Sequence, residues 1–171
     1  ATAWENAVVV TSGYNQERIA LFDLTLRGIA KRREIAGHWS GVCSPVAYQG
    51  HLYVAFEEVR CYQMLPDALK LRWKSGAKFR FGPGGSCLVT GDGRLVAFGK
   101  ARGGHFRVAL AETVDRSPDA YTELAAIEDV LPPTTQAYDQ PWPHIVLATG
   151  RIYVKDRAGH LACFPVTSPP Q

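Results

Sequence analysis

One short pattern occurs four times along the chain, and it constrains the fold more than any other feature of the sequence. Each copy is a run of apolar residues, and the copies lie at residues 5–12, 49–56, 92–99 and 149–156. When they are aligned, Val9, Tyr53, Val96 and Tyr153 are equivalent, and the steps between copies are 44, 43 and 57 residues. Self-similarity at such a period predicts four successive units of similar supersecondary structure.

Short strands joined by tight turns fill each unit. The second unit divides into strands at residues 41–48, 51–56, 59–65 and 69–76, with turns at 49–50, 57–58 and 66–67. Most of the turns between strands carry Gly, Pro or Asp, the residues that tight turns favour. A period of about 40–45 residues with four strands in each unit is typical of a β-propeller blade. We therefore expect an all-β propeller of about four blades, each with four antiparallel strands.

Two details of the third and second units can be tested by a structure. The segment "YTELAAIEDVL" (121–131) has a composition that favours a helix locally, whereas as a strand it completes the third unit. We expect the strand, with the helix as the alternative. Trp73, on the outer strand of the second unit, is expected to dock against the neighbouring blade, because a large aromatic side chain buries much apolar surface.

The repeat also divides the chain. The predicted blades cover residues 1–36, 37–77, 78–136 and 137–166, followed by a short tail at 167–171. The first blade is expected to lack its inner strand. An arc of four blades leaves strand edges and a blade face uncovered at each end. We therefore expect it to be part of a ring of seven or eight blades, completed by a longer parent chain, a second chain or a second copy.

Composition excludes several classes of function. The chain is 46% hydrophobic and 20% charged, as is ordinary for a soluble domain. No apolar run approaches the roughly 18 residues of a membrane helix, and the first ten residues lack the order of a signal peptide. The formal charge of +3 is small and interspersed with acids. We expect no membrane span and no nucleic-acid partner.

Several segments resemble the repeats of PQQ-like (quinoprotein alcohol dehydrogenase-like) β-propellers. The resemblance covers residues from about 37 to 166, and more loosely the first unit. The segments that carry it are "LKLRWKSG", "GPGGSCLVTGDGRLVAFG", "RVALAETVDRSPDAYTELAAIEDVL" and "GRIYVKDRAGHLACFPV". The resemblance implies a periplasmic or secreted protein. It specifies a fold more than an activity, because the family contains both quinone-dependent dehydrogenases and non-catalytic scaffolds.

The features that the family's quinone enzymes use are absent from this sequence. Those enzymes are known for an adjacent Cys-Cys disulfide, a Trp at the floor of the site, and acidic Ca²⁺ ligands with a catalytic Asp. The chain has no Cys-Cys pair and no motif onto which those residues could be placed. We expect a non-catalytic scaffold or binding module for a protein or glycan partner, without a cofactor and without catalytic residues. The alternatives are the propeller portion of a PQQ-dependent dehydrogenase or other redox enzyme, and a hydrolase or lectin-like role.

The cysteines and histidines point to no metal site. Cys43 and Cys87 fall on predicted inner strands, and Cys61 and Cys163 on predicted third strands. Equivalent positions in different blades are expected to lie apart, whereas a disulfide needs Cα atoms within about 7 Å. We expect four free, buried thiols that act as small apolar residues. No C-x2-C spacing occurs, and the five histidines show no ligand spacing.

Strand polarity predicts a candidate binding surface. In an antiparallel four-stranded blade, the turn between the second and third strands lies at the same end as the connections between blades. Those connections and turns are rich in aromatic and basic residues, which are favoured at interface hot spots. The candidate residues on the connections are His38, Trp39, Phe79, Arg80, Phe81, Tyr138, Trp142 and His144, and the turns add Lys100, Arg102, His105, Lys155 and Arg157. The alternative is that the aromatic side chains fill the gaps between blades.

Overall fold

The computed structural model describes residues 1–13, 17–36, 41–136 and 141–166. In these ranges the chain forms strands and turns, with no α-helix and one short 3-10 turn at Arg102–Gly104. No helix in the described ranges is long and apolar enough to span a membrane. The strands are β1 (Thr2–Trp4), β2 (Ala7–Ser12), β3 (Arg18–Thr25), β4 (Gly28–Ala36), β5 (Val46–Tyr48), β6 (His51–Met64), β7 (Leu69–Lys74), β8 (Arg80–Gly82), β9 (Ser86–Val89), β10 (Arg94–Lys100), β11 (Phe106–Glu112), β12 (Glu123–Ile127), β13 (Val146–Ala148), β14 (Arg151–Lys155) and β15 (Leu161–Pro165).

Four antiparallel sheets follow one another in chain order. Sheet 1 is β1-β2-β3-β4, sheet 2 is β5-β6-β7 with β8 added on β6, sheet 3 is β9-β10-β11-β12, and sheet 4 is β13-β14-β15. The all-β class is therefore confirmed. Residues 123–127 form the outer strand of sheet 3, not a helix. No closed barrel or closed ring of sheets is formed within the described ranges.

The long strand β6 folds back on itself. The amide of Met64 donates to the carbonyl of Gly50 at 2.9 Å, although 14 extended residues would span roughly 45 Å. The reversal lies at the predicted turn, where Glu57 has a positive φ of 54°. Sheet 2 therefore has the same order of four antiparallel segments as sheets 1 and 3: β5, the two arms of β6, and β7.

Three apolar cores lie between successive sheets. The first joins Val9, Ile19 and Leu21 of sheet 1 to Leu52, Val54, Tyr62 and Met64 of sheet 2. The second joins Tyr53, Cys61 and Trp73 of sheet 2 to Cys87, Leu95, Ala97, Ala109 and Ala111 of sheet 3. The third joins Val96, Phe98, Phe106 and Val108 of sheet 3 to Ile145 and Val154 near and in sheet 4. Because side chains alternate across a strand, neighbours in sequence enter opposite cores.

Sheet 1 corrects one prediction. Its inner strand was expected to be missing, but β1 pairs with β2 from Thr2 opposite Val9 to Trp4 opposite Ala7. Three residues are too few for an alternating pattern to be visible in the sequence. The sheet with fewer strands is sheet 4, in which no described strand pairs with the outer side of β15.

Trp73 docks sheet 2 onto sheet 3, as predicted. Its indole Nε1 donates to the carbonyl of Ser117 at 3.1 Å, and its ring lies 5.8 Å from that of Tyr121. The side chain is buried. An outer strand of one sheet is thereby fixed to the turn that precedes the outer strand of the next.

Replacing Trp73 by Ala should therefore lower the free energy of unfolding by about 3–5 kcal/mol, the usual cost of truncating a buried Trp. Leu71, an exposed residue on the same strand, is the matched control, and Leu71→Ala should cost about 1 kcal/mol or less. Urea unfolding followed by circular dichroism measures both. Equal effects of the two substitutions would show that β7 does not dock on sheet 3.

Candidate functional site

The connections between sheets and the turns between second and third strands meet at one end of the molecule. The guanidinium of Arg157, in such a turn, lies 4.5 Å from the ring centroid of Trp142, on the connection before sheet 4. Lys100 Nζ donates to the carbonyl of Gln136 at 3.0 Å. Arg80, on the connection that leads to sheet 3, likewise forms an ion pair with Glu57, which lies at the reversal of β6. The arrangement follows the strand polarity that the sequence predicts.

The connections also converge on one another. Cys43 Sγ lies 3.5 Å from the carbonyl oxygen of Gly84 and 3.3 Å from that of Trp142. The amide of Ser44 donates to Nε2 of His144 at 3.3 Å. The segments that lead into sheets 2, 3 and 4 are thus in contact. We call this end of the molecule the rim; it consists of the described residues 41–45, 76–85, 100–105, 132–136, 141–145 and 155–160.

Of the eight residues predicted for the rim, three lie outside the described residues: His38, Trp39 and Tyr138. Trp142 is 38% exposed, and the Arg80 side chain is about one third exposed. His144 is exposed at the residue level, yet burial of its imidazole lowers its pKa below the usual value. These three residues are accessible to a partner.

The two phenylalanines of the rim differ. Phe79 is partly buried, with its ring 5.3 Å from that of Tyr121. Phe81 is fully buried, so its side chain does not reach the accessible surface of the rim, although it was among the residues predicted there. Its backbone approaches Gly99 so closely that a Cβ there would clash. Phe81 fills the gap between sheets 2 and 3, as the alternative interpretation of these aromatics held.

A groove on the rim collects basic side chains. One cavity of about 440 Å³ is lined by Lys78, Phe79, Arg80 and Arg102, among others. A second, of about 200 Å³, lies between Arg80, Arg102 and Lys100. The two cavities are adjacent, since Arg80, Ala101 and Arg102 line both of them. We call the pair of cavities the basic groove and define it by Lys78, Arg80, Lys100 and Arg102; the carboxylates of Glu57, Glu123 and Glu128 also line it.

The floor of the basic groove is an ion network centred on a buried arginine, with Glu123 largely buried and Glu128 half exposed. Arg107 is 6% exposed, and its Nη2 and Nη1 donate to Oε1 and Oε2 of Glu123 at 2.7 and 3.2 Å. Its Nε donates to Oε1 of Glu128 at 2.9 Å. Burial disfavours the charged guanidinium, but Glu123 and Glu128 outweigh it and raise the pKa of Arg107. Tyr121 donates its hydroxyl to Glu123 at 2.9 Å and holds that carboxylate in place.

The network pairs the charges of the floor, whereas the cations of the walls differ in their partners. Arg80 forms an ion pair with Glu57, and Lys100 donates to the carbonyl of Gln136, but the exposed side chain of Arg102 has no carboxylate partner among the described residues. Lys78 lies beside the face of Phe79, with Nζ 5.2 Å from the ring centroid. Exposed cations without carboxylate partners favour the binding of an anionic group.

Sequence analysis placed Lys100 and Arg102 at this end but missed Lys78, Arg107 and the two glutamates. Arg107 lies inside the apolar run "HFRVALA", where it has the appearance of an outward-facing strand residue. The available signal was the acidic pair on the next strand and turn, at Glu123 and Glu128. Recognising that signal requires the pairing of β11 with β12, which a single sequence does not specify to the residue.

Breaking the network from one side should be costly. Arg107→Met leaves two carboxylates near a buried site, and we expect a loss of about 3–5 kcal/mol in the free energy of unfolding. In the double variant Arg107→Met/Glu123→Gln one of those charges is gone, so the loss should be smaller than the sum of the single losses by about 0.5–3 kcal/mol. Urea titration of the four proteins gives the cycle. Strictly additive losses would show that the two side chains do not interact.

The thiols are not equivalent. Cys43, Cys61 and Cys87 are buried and Cys163 is exposed, all four as free thiols. The prediction of burial was therefore wrong for Cys163, because its side chain lies on the uncovered face of sheet 4. Burial raises the pKa of Cys43 to about 11 and those of Cys61 and Cys87 to about 12. Since the thiolate is the reactive form, the buried thiols are protected twice, by access and by protonation.

Alkylation at neutral pH should therefore modify one cysteine in the folded protein and four after denaturation without reductant. Cys163→Ser should abolish the native reaction, and intact-mass spectrometry counts the adducts. Two or more adducts on the native protein would contradict the burial of the other three thiols. Fewer than four after denaturation would reveal a disulfide.

Comparison with known proteins gives no further identification. No protein-family model matches the chain, and no curated protein is significantly similar to it. Among the described residues, no group of three or more His, Cys, Asp or Glu side chains is placed to hold a metal ion. The basic groove is therefore interpreted from its own geometry.

Proposed function

We propose that the chain is an arc of a β-propeller that acts as a non-catalytic binding module for a protein or glycan partner. The observation that carries the proposal is the basic groove, because it places four cations at the end where the sheet connections converge, and two of them, Lys78 and Arg102, have no carboxylate partner among the described residues. Within this proposal the chain is a PQQ-like repeat protein that acts in the periplasm or outside the cell, as the sequence resemblance implies.

The stacking of the sheets supports the propeller. Sheets 1 to 4 pack face to face in chain order, and the equivalent residues Val9, Tyr53 and Val96 each enter the core shared with the following sheet. Inner strands also lie side by side, since β1 contacts β5 and β5 contacts β9. A constant order of strands with adjacent inner strands is the geometry that radial repetition produces.

The groove favours a partner that carries carboxylate or sulfate groups. The guanidinium of Arg102 offers a planar fork of donors that fits such groups, and Lys78 adds a second charge across the cavity. The floor beneath them is held by Arg107 and its carboxylates, so the site is preorganised. The cations of the groove are open to solvent, so salt should weaken their binding of an anionic partner. The screening length is about 10 Å at an ionic strength of 0.1 M.

Affinity chromatography on heparin and on poly-glutamate tests this proposal, with one resin for each class of partner. We expect the protein to be retained on at least one resin and Arg102→Glu to elute at lower salt. Lys70→Glu is the matched control, since Lys70 is exposed on β7 away from the rim and the charge change is identical. It should elute close to the unmodified protein.

Two results would contradict the proposed binding function, each for a different reason. If neither resin retains the protein, the groove does not bind acidic groups. If Arg102→Glu and Lys70→Glu shift equally, retention reports net charge only, and the groove has no special role. Thermal melts of both variants establish that they are folded, and surface substitutions of this kind should change stability by about 0.5 kcal/mol or less.

A further inference from the structure

The outermost faces of sheets 1 and 4 can be compared with the equivalent faces of the other sheets, which are covered by a neighbouring sheet. In sheets 2 and 3, the second strand presents two residues to the preceding sheet, and these are at most 1% exposed: Leu52 and Val54 in sheet 2, and Leu95 and Ala97 in sheet 3. Their equivalents in sheet 1 are Val8 and Val10, and Val10 is 37% exposed. Sheet 1 therefore has an apolar face of the same kind, and no described strand packs on that face.

The exposed apolar surface extends from β2 across β3 to the start of β4, whereas farther along β4 Glu34 lies opposite Ala20 and forms an ion pair with Arg18. Val8 lies opposite Phe22 and Val10 opposite Ala20, and Leu24 lies opposite Ile29. Residues opposite one another in an antiparallel pair share a face. Ile29 is 72% exposed. We call this surface the first face and define it by Val8, Val10, Ala20, Phe22, Leu24 and Ile29.

The other end of the stack presents the complementary half. Tyr153 is the equivalent of Val9, Tyr53 and Val96, which are 0%, 0% and 3% exposed because they face the following sheet. Tyr153 lies opposite Val146 on one side and Cys163 on the other. Two residues from Cys163 on the same strand, Leu161 is 67% exposed. We call this surface the last face and define it by Val146, Tyr153, Leu161 and Cys163; two basic residues lie beside this apolar set on the same side of the sheet, Lys155 opposite Leu161 and Arg151 opposite Pro165.

We infer that the last face of one copy of this chain packs on the first face of a second copy. The contact repeats the sheet-on-sheet packing that occurs three times within the chain, between the same two kinds of face. A single copy carries both faces, so a second copy of the chain supplies a matching face for each of them. The inference concerns surfaces remote from the basic groove and goes beyond the proposed binding function.

The number of sheets in each copy limits the size of a closed assembly. A head-to-tail contact either continues indefinitely or closes on itself. With four sheets in each copy, two copies make two such contacts and close a ring of eight sheets, within the range of about four to eight blades that propellers reach. Closure also removes both uncovered apolar faces at once, whereas an open filament always leaves two.

Oligomeric state tests the inference. Light scattering coupled to size-exclusion chromatography, and sedimentation equilibrium, should give twice the mass of the chain. Val10→Glu on the first face and Leu161→Glu on the last face should each give monomers, because each substitution spoils both contacts of the ring. Leu26→Glu is the matched control: Leu26 is fully exposed in the turn between β3 and β4, off both faces. It should remain a dimer.

A mixing experiment separates this contact from a symmetric one. Val10→Glu keeps an intact last face and Leu161→Glu an intact first face, so the two monomeric variants should form a heterodimer when mixed. If either face instead paired with itself, one of the two variants would remain a dimer alone, and the inference would be overturned. Far-ultraviolet circular dichroism and a cooperative melt establish folding, and Ile29→Glu replaces Val10→Glu if that variant does not fold.

Two further results would also overturn the inference. A monomeric unmodified protein up to about 100 µM would mean that these faces meet other sheets, such as those of a longer chain. Open-ended assemblies of increasing mass would mean that the contact forms but the ring does not close. Neither result bears on retention by heparin or poly-glutamate, so the two proposals fail independently.

Discussion

The fold depends on strands that are apolar on both faces. Leu52 and Val54 enter the core with sheet 1, whereas Tyr53 between them enters the core with sheet 3. A half-buried sheet alternates apolar and polar residues, but a sheet covered on both sides reads as a continuous apolar run. Each sheet therefore requires a neighbour on either side, and the order of the chain is also the order of the stack.

That requirement explains how the rim is built. Stacking covers the faces of the inner strands and leaves the strand ends and parts of the outer strands exposed, so polar and charged residues collect in the turns and connections. Where two sheets approach most closely, at Gly99 and Phe81, no side chain fits on the glycine. Beside that contact Arg107 lies 5.3 Å from the Phe81 ring and turns its charge toward Glu123. The close packing thus sets the position of the charged floor beneath the basic groove.

The sequence predicts the parts of this structure that repeat. The register of Val9, Tyr53 and Val96 follows from three copies of one pattern, and each residue enters the core with the following sheet. The Trp73 contact follows because a large apolar side chain on an outer strand has one neighbour to meet. Strand β1 was missed, since three residues carry no detectable period.

The repeat does not specify how one repeat unit differs from the next. Phe81 and Trp142 were assigned to the same surface, yet one is buried and the other is 38% exposed. The difference arises because β8 adds on to β6 opposite Glu57 and Glu58 and turns Phe81 inward. The Arg107 network depends in the same way on the pairing of β11 with β12. Pairings of this kind are set by tertiary packing, which one sequence does not display.

Sheet 4, the last sheet of the stack, differs from the other three in its number of strands. Sheets 1 to 3 have a fourth segment, and in sheet 4 no described strand occupies that place. The result is a cavity of about 550 Å³, bordered by Ile127 of β12 and by Phe164 and Val166 at β15.

The outer edge of β15 is open. The backbone of the even-numbered residues of β15 bonds to β14, as the amide of Val166 does to the carbonyl of Gly150, so the amides of Leu161 and Cys163 point to the open edge. Pro165 has no amide to offer, and proline at an edge limits how far another strand can extend the sheet. Addition of a further strand at this edge is thereby restricted to a short segment.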